Sequence, residues 1–126
     1  MAKRLLIVIR HAPYGRLDAA EAVRHLNGAA AAGLDATLLA MGDGVYLTKA
    51  SQAPAPGWTD LAAALAQALR SAQEAQRGHG QVDVYVGADD LASRGLGQGD
   101  LVPGCRLADD SVAAELLARA DATLVY

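Results

Sequence analysis

Arg10-His11, directly behind the apolar run Leu5-Leu6-Ile7-Val8-Ile9, is the first pair in this chain equipped for chemistry. An imidazole beside a guanidinium at a strand end could accept a phosphoryl group while the cation holds its oxygens. Such a site needs further cations and a second histidine opposite the first. His25 falls inside the following helix and His79 in the loop Arg77-Gly78-His79-Gly80, before the third strand, so both head away from His11. The lone cysteine, Cys105, stands beside Arg106, whose charge could favour a thiolate; a single cysteine near apolar residues is otherwise a packed small hydrophobe. Asp43, Asp89 and Asp90 could hold a divalent cation, but acidic loop residues more often act as solvated caps, and no metal is expected. Gly42-x-Gly44 is followed by Val45-Tyr46 rather than by dinucleotide-binding spacing, and no Walker pattern occurs, so no cofactor is expected.

The elements that must position these residues alternate between two periods. Leu5 to Ile9 is a continuous apolar, β-branched-rich run, the pattern of a strand buried on both faces. Asp18 and Glu21 have capping-box spacing, and the helix they start runs to about Ala32, where Gly33 stops it. A second strand covers Thr37 to Met41, followed by a tight turn at Gly42-Asp43-Gly44. Residues 50–57, ASQAPAPG, form a loop without regular structure. Thr59 or Asp60 caps a helix over 61–76, whose Leu61, Leu65 and Leu69 share a face. Val82, Val84 and Val86 mark a third strand, and 89–95 a short helix. A weak strand lies near Cys105 to Ala108, a helix spans Ser111 to Arg119, and Ala122 to Val125 form the last strand. This order predicts one three-layer α/β/α domain over 1–126, Rossmann-like, with a mainly parallel five-stranded sheet and helices on both faces. In open sheets of this kind chemistry sits beyond the carboxyl ends of the strands. Four loops qualify: 11–17, 42–50, 87–91 and 108–111.

Composition narrows the function classes. The chain has 126 residues, 52% of them hydrophobic, enough for one core. A net charge of −3 without a basic block gives no electrostatic footprint for nucleic acid or an anionic membrane. The five-residue apolar run near the N-terminus is too short for a signal peptide or a membrane span, and a cytoplasmic protein is expected. One cysteine excludes an intramolecular disulfide and a Cys-rich zinc site within one chain.

Four stretches, in order and spacing, give the chain a family resemblance. The first strand leads into Ala12-Pro13-Tyr14-Gly15, and a helix ending at Gly33 follows. The second strand runs into Gly42-Asp43-Gly44-Val45-Tyr46. The third is Val84-Tyr85-Val86-Gly87-Ala88-Asp89-Asp90-Leu91-Ala92-Ser93-Arg94-Gly95-Leu96. The last is the C-terminal helix and ADATLVY. Over nearly its whole length the chain resembles the DsrE/DsrF-like family, which includes the TusB, TusC and TusD sulfur-relay subunits and their DsrE, DsrF and DsrH counterparts. The resemblance implies a DsrEFH-like fold, a role in sulfur metabolism or relay, and assembly as a trimer, hexamer or mixed complex with related subunits. Members that carry sulfur do so as a persulfide on a cysteine at the end of the third strand. That position falls here at Val86-Gly87, so the active-thiol role does not carry over; in this stretch the chain is similar to the DsrH/TusB type.

The function expected from sequence is therefore a non-catalytic partner, scaffold or small-ligand-binding subunit. A strand-end pocket would be built from His11, Pro13, Tyr14, Gly15, Asp43, Gly44, Tyr46, Gly87 and Asp89. Two alternatives compete. One is a persulfide carrier using Cys105 with a donor or acceptor protein. The other is a histidine-phosphatase-like phosphohydrolase using His11.

Overall fold

The computed structural model describes residues 2–74 and 77–126. Strand β1 is Arg4–Ile9, helix α1 Asp18–Ala31 and strand β2 Asp35–Ala40. A 3-10 segment, Gly42–Thr48, follows, then helix α2, Leu61–Glu74, and strand β3, Val82–Gly87. The short helix α3, Ala88–Ser93, and a 3-10 turn, Gln98–Asp100, lead to strand β4, Arg106–Ala108. Helix α4, Asp110–Arg119, and strand β5, Ala122–Val125, end the chain. Ala75 and Gln76, the expected end of the second helix, lie outside the described residues, as does Met1.

The five strands pair in the order β4-β3-β2-β1-β5, all parallel. From β1 to β4 the chain steps one strand at a time in one direction. Right-handed crossovers therefore put α1 and α2 on one face; the return from β4 to β5 reverses direction and puts α4 on the other. Packing follows that split. Ile7, Ile9, Leu38 and Val84 bury against Ala22, Leu26 and Leu65 of α1 and α2. Leu6, Val8 and Leu39 meet Val112 and Leu116 of α4. Both sets in β1 are buried, which is why this strand reads as an unbroken apolar run.

The three layers are unequal. No residue of α4 is fully buried, and all four residues of β5 are exposed. In β3 the valines 82, 84 and 86 are buried while Asp83 and Tyr85, on the α4 side, are half-buried. One helix cannot cover a face five strands wide when strands lie about 4.8 Å apart and a helix is about 10 Å across. No described helix is long and apolar enough to cross a membrane.

Helix ends show how local chemistry competes. The capping box expected of Asp18 and Glu21 does not form. The N-cap position falls to Leu17, which makes no side-chain cap. Arg16 instead takes the Asp18 carboxylate at 2.6 Å, and Arg24 takes Glu21. At α2, Asp60 is the cap, its Oδ1 accepting from the Ala63 amide at 3.0 Å. Asp109 does the same for α4, accepting from Val112 at 2.8 Å, so this helix starts one residue earlier than its sequence suggests.

Candidate functional site

The carboxyl ends of β1, β2 and β3 are tied together by backbone approach. The 3-10 segment after β2 lies directly on the end of β1. A Cβ on Gly44 would stand 2.0 Å from the Ile9 carbonyl oxygen, so only glycine permits that contact. The Gly42 amide donates to Asp90 Oδ2 at 2.8 Å, joining this segment to α3. Arg94 completes the joint. Its Nη2 lies 2.9 Å from Asp43 Oδ1, and its Nη1 donates to the Asp90 carbonyl at 3.0 Å. Asp43 is thereby spent on an ion pair that holds two loops together.

The sequence-predicted pocket residues separate into two groups. Pro13, Tyr14 and Tyr46 line a cleft of about 430 Å³ between the loop after β1 and residues 49–54. Asp43, Gly44 and Gly87 belong to the structural joint, while Asp89 is exposed on α3. Gly15 is exposed with φ +87° and shapes the turn without facing the cleft's other residues. His11 is half-buried, and its Nδ1 is buried without a hydrogen-bond partner among the described residues.

Neither other histidine makes a hydrogen bond or ring contact with His11 among the described residues, although His25 does not head away as expected but reaches Tyr126, beside the end of β1. His25 stacks on Tyr126, ring centroids 5.7 Å apart, and its Nδ1 bonds the Tyr126 hydroxyl. His79 Nδ1 contacts the Gly80 carbonyl at 2.8 Å, at the end of the molecule where β3 begins. Arg10 is exposed, with its amide donating to the Tyr126 carbonyl at 2.9 Å. The cationic surround that phosphoryl transfer at His11 requires is not assembled from these histidines.

Sequence reasoning missed Lys49, Ser51, Gln52 and Pro54, which form the other wall of the cleft. The 50–57 loop has no regular helix or strand, as expected, yet Gln52 gives it a fixed shape. Its Nε2 donates to the carbonyls of Tyr46, Leu47 and Lys49, each at 3.1 Å, and its Oε1 accepts from the Tyr14 hydroxyl at 2.5 Å. Tyr14 Oη in turn accepts from the Leu61 amide, the first residue of α2, at 3.2 Å. A glutamine between a serine and an alanine carries no pattern that announces this role; the cation directly after the 3-10 segment was the available signal.

Cys105 lies elsewhere. It is 6% exposed, just before β4, in the core on the α1 and α2 side with Leu69, Leu101 and Val102. Burial pushes its thiol up from 9.0 to about 11. Arg106, which could have favoured a thiolate, turns to the opposite face of the sheet. There it stacks over Tyr85, 5.8 Å from the ring centroid, and lies 3.7 Å from Asp83.

With this geometry, a family model described as DsrE/DsrF-like matches residues 3–126. The chain belongs to the DsrE/DsrF-like family. Among solved structures it is similar to the YchN protein from E. coli, at 23% identity, with all of both chains covered and a TM-score of 0.79. It is also similar to MTH1491, a protein of unknown function from Methanobacterium thermoautotrophicum, at 15% identity. That match covers 98% of this chain and 99% of the other, with a TM-score of 0.68. At these identities the likeness speaks for the shared α/β fold. No curated protein matches the chain. Within this DsrE-like chain, the family resemblance puts a persulfide cysteine at Val86-Gly87, where the end of the Asp90 side chain is the nearest group to an added side chain at 87. A Cβ on Gly87 would stand 2.9 Å from Asp90 Oδ2, the same oxygen that the Gly42 amide engages.

Proposed function

We propose that this DsrE-like chain acts, as a single domain, as a non-catalytic binding or assembly subunit related to sulfur-relay proteins. The observation that carries this reading is the strand-end joint: glycine at 87, with the Asp90 carboxylate folded against it. A side chain at 87 would have to displace a carboxylate that the Gly42 amide holds. The burial of Cys105 and its raised pKa favour the same reading, since nucleophilic sulfur chemistry needs an accessible thiolate. Its partners would be further copies of itself or related DsrE-like subunits.

Intact mass after exposure to a persulfide donor tests the proposal, with Cys105→Ser alongside. The expected result is no gain of sulfur on the folded wild type. A gain on wild type alone would replace this reading with a carrier that uses Cys105.

A further inference from the structure

The chain carries more acid than base, yet the cleft beside Tyr14 contains no acidic residue. It has one cation, Lys49. Another cavity, of about 290 Å³ at the amino ends of the strands, mixes Arg4 and Arg119 with Asp35 and Asp83 and has no such bias. Lys49 is half-buried and forms no salt bridge among the described residues, where its ammonium has only the Ala50 carbonyl, at 3.3 Å, as a partner. Tyr46 and Ser51 also line the cleft, and their hydroxyls make no hydrogen bond among the described residues. In contrast, the amide of Gln52 and the hydroxyl of Tyr14 are fully engaged in holding the walls. The groups with spare capacity are thus a cation and two hydroxyls, set among Pro13, Pro54 and the tyrosines.

Ser51 adds a second observation. Its φ of +61° makes it the one non-glycine residue with positive φ among those described. Strained backbone of this kind persists where surrounding structure enforces it, and it gathers at ligand clamps. Here it shapes the rim between Lys49 and Gln52.

We infer that this cleft binds a small organic anion, a carboxylate or phosphate ester on a flat apolar body. Lys49 takes the charge, the Ser51 and Tyr46 hydroxyls take its oxygens, and Pro13, Pro54 and the tyrosine rings take the body. A volume of about 430 Å³ suits a ligand of one or two rings. The inference deepens the binding-subunit reading above and rests on it, but the two fail separately. The persulfide experiment addresses the thiol, and ligand titration addresses the cleft.

The chain contains its own reporter. Trp58, the sole tryptophan, packs edge-on to Tyr14 with ring centroids 6.4 Å apart. Benzoate, phenyl phosphate and benzyl alcohol are titrated while Trp58 emission and calorimetric heat are followed. The anions are expected to bind about tenfold or more tightly than the alcohol, the size of a charge-assisted hydrogen bond. Lys49→Gln should remove that preference, and Lys49→Arg should retain it. Of the two anions, the tighter binder distinguishes a carboxylate ligand from a phosphate one. Equal binding of the alcohol, unchanged anion binding by Lys49→Gln, or no binding of either anion to about 10 mM would overturn the inference.

Discussion

Position 87 illustrates how a single absent side chain redirects a site. With glycine there, the Asp90 carboxylate can move in and accept from the Gly42 amide at 2.8 Å. Gly87→Ala should push that carboxylate away and cost about 1–2 kcal/mol, read from the urea midpoint at unchanged slope. Gly87→Cys should be destabilised similarly and load sulfur poorly, whereas Gly87→Cys combined with Asp90→Ala should load it better; intact mass after donor treatment compares the two. Cys105 belongs to the same scale. Its thiol pKa is raised from 9.0 to about 11 in the folded chain, so the thiolate is favoured by unfolding. Its contribution to stability is complete below about pH 9 and is lost as pH rises towards about 11. Cys105→Ala should flatten that part of the pH–stability curve, measured by chemical denaturation at several alkaline pH values.

At the scale of elements, two helix caps of similar geometry are expected to differ in consequence. Asp60 caps α2 and Asp109 caps α4, and replacing either by alanine should cost about 1 kcal/mol. The first turn of α2, however, also supplies the Leu61 amide that holds the Tyr14 hydroxyl. Asp60→Ala should therefore weaken benzoate binding as well as lower the thermal midpoint, while Asp109→Ala should lower the midpoint alone. Trp58 titration beside a thermal melt distinguishes them. The loop at 50–57 belongs here too: it lacks regular structure, but one glutamine side chain bonded to three carbonyls gives it a defined form. Hydrophobic period finds helices and strands; it is silent on a loop whose order comes from one side chain.

For the whole molecule, the unequal coverage of the sheet has a consequence for assembly. Helix α4 and strand β5 expose Leu117, Leu124 and Val125 at 49%, 38% and 56%. Scattered apolar side chains are ordinary on a protein surface, but here Leu124 and Val125 lie on the edge strand β5 and Leu117 on the helix that leads into it. If copies of the chain or related subunits associate there, as proposed, the wild type should scatter light as an oligomer. Leu124→Arg should then lower the mass towards 12.9 kDa while the far-ultraviolet circular dichroism is kept. An unchanged mass would move the interface elsewhere.

The sequence alone determined the alternation of strands and helices, the parallel sheet, the family and the absence of a cysteine after the third strand. These rest on local period, chain order and residue identity, all of which a linear string contains. Tertiary structure decided the rest. Asp43 and Asp90, read as candidate site residues or cation ligands, became a structural joint because Arg94 and the Gly42 amide reach them across long separations. Arg106 turned to the opposite face of the sheet from Cys105. Lys49 and Ser51 entered the cleft because Gln52 folds the loop back onto the 3-10 segment. Each of these outcomes depends on which groups meet in space, and desolvation and hydrogen bonding act only after they have met.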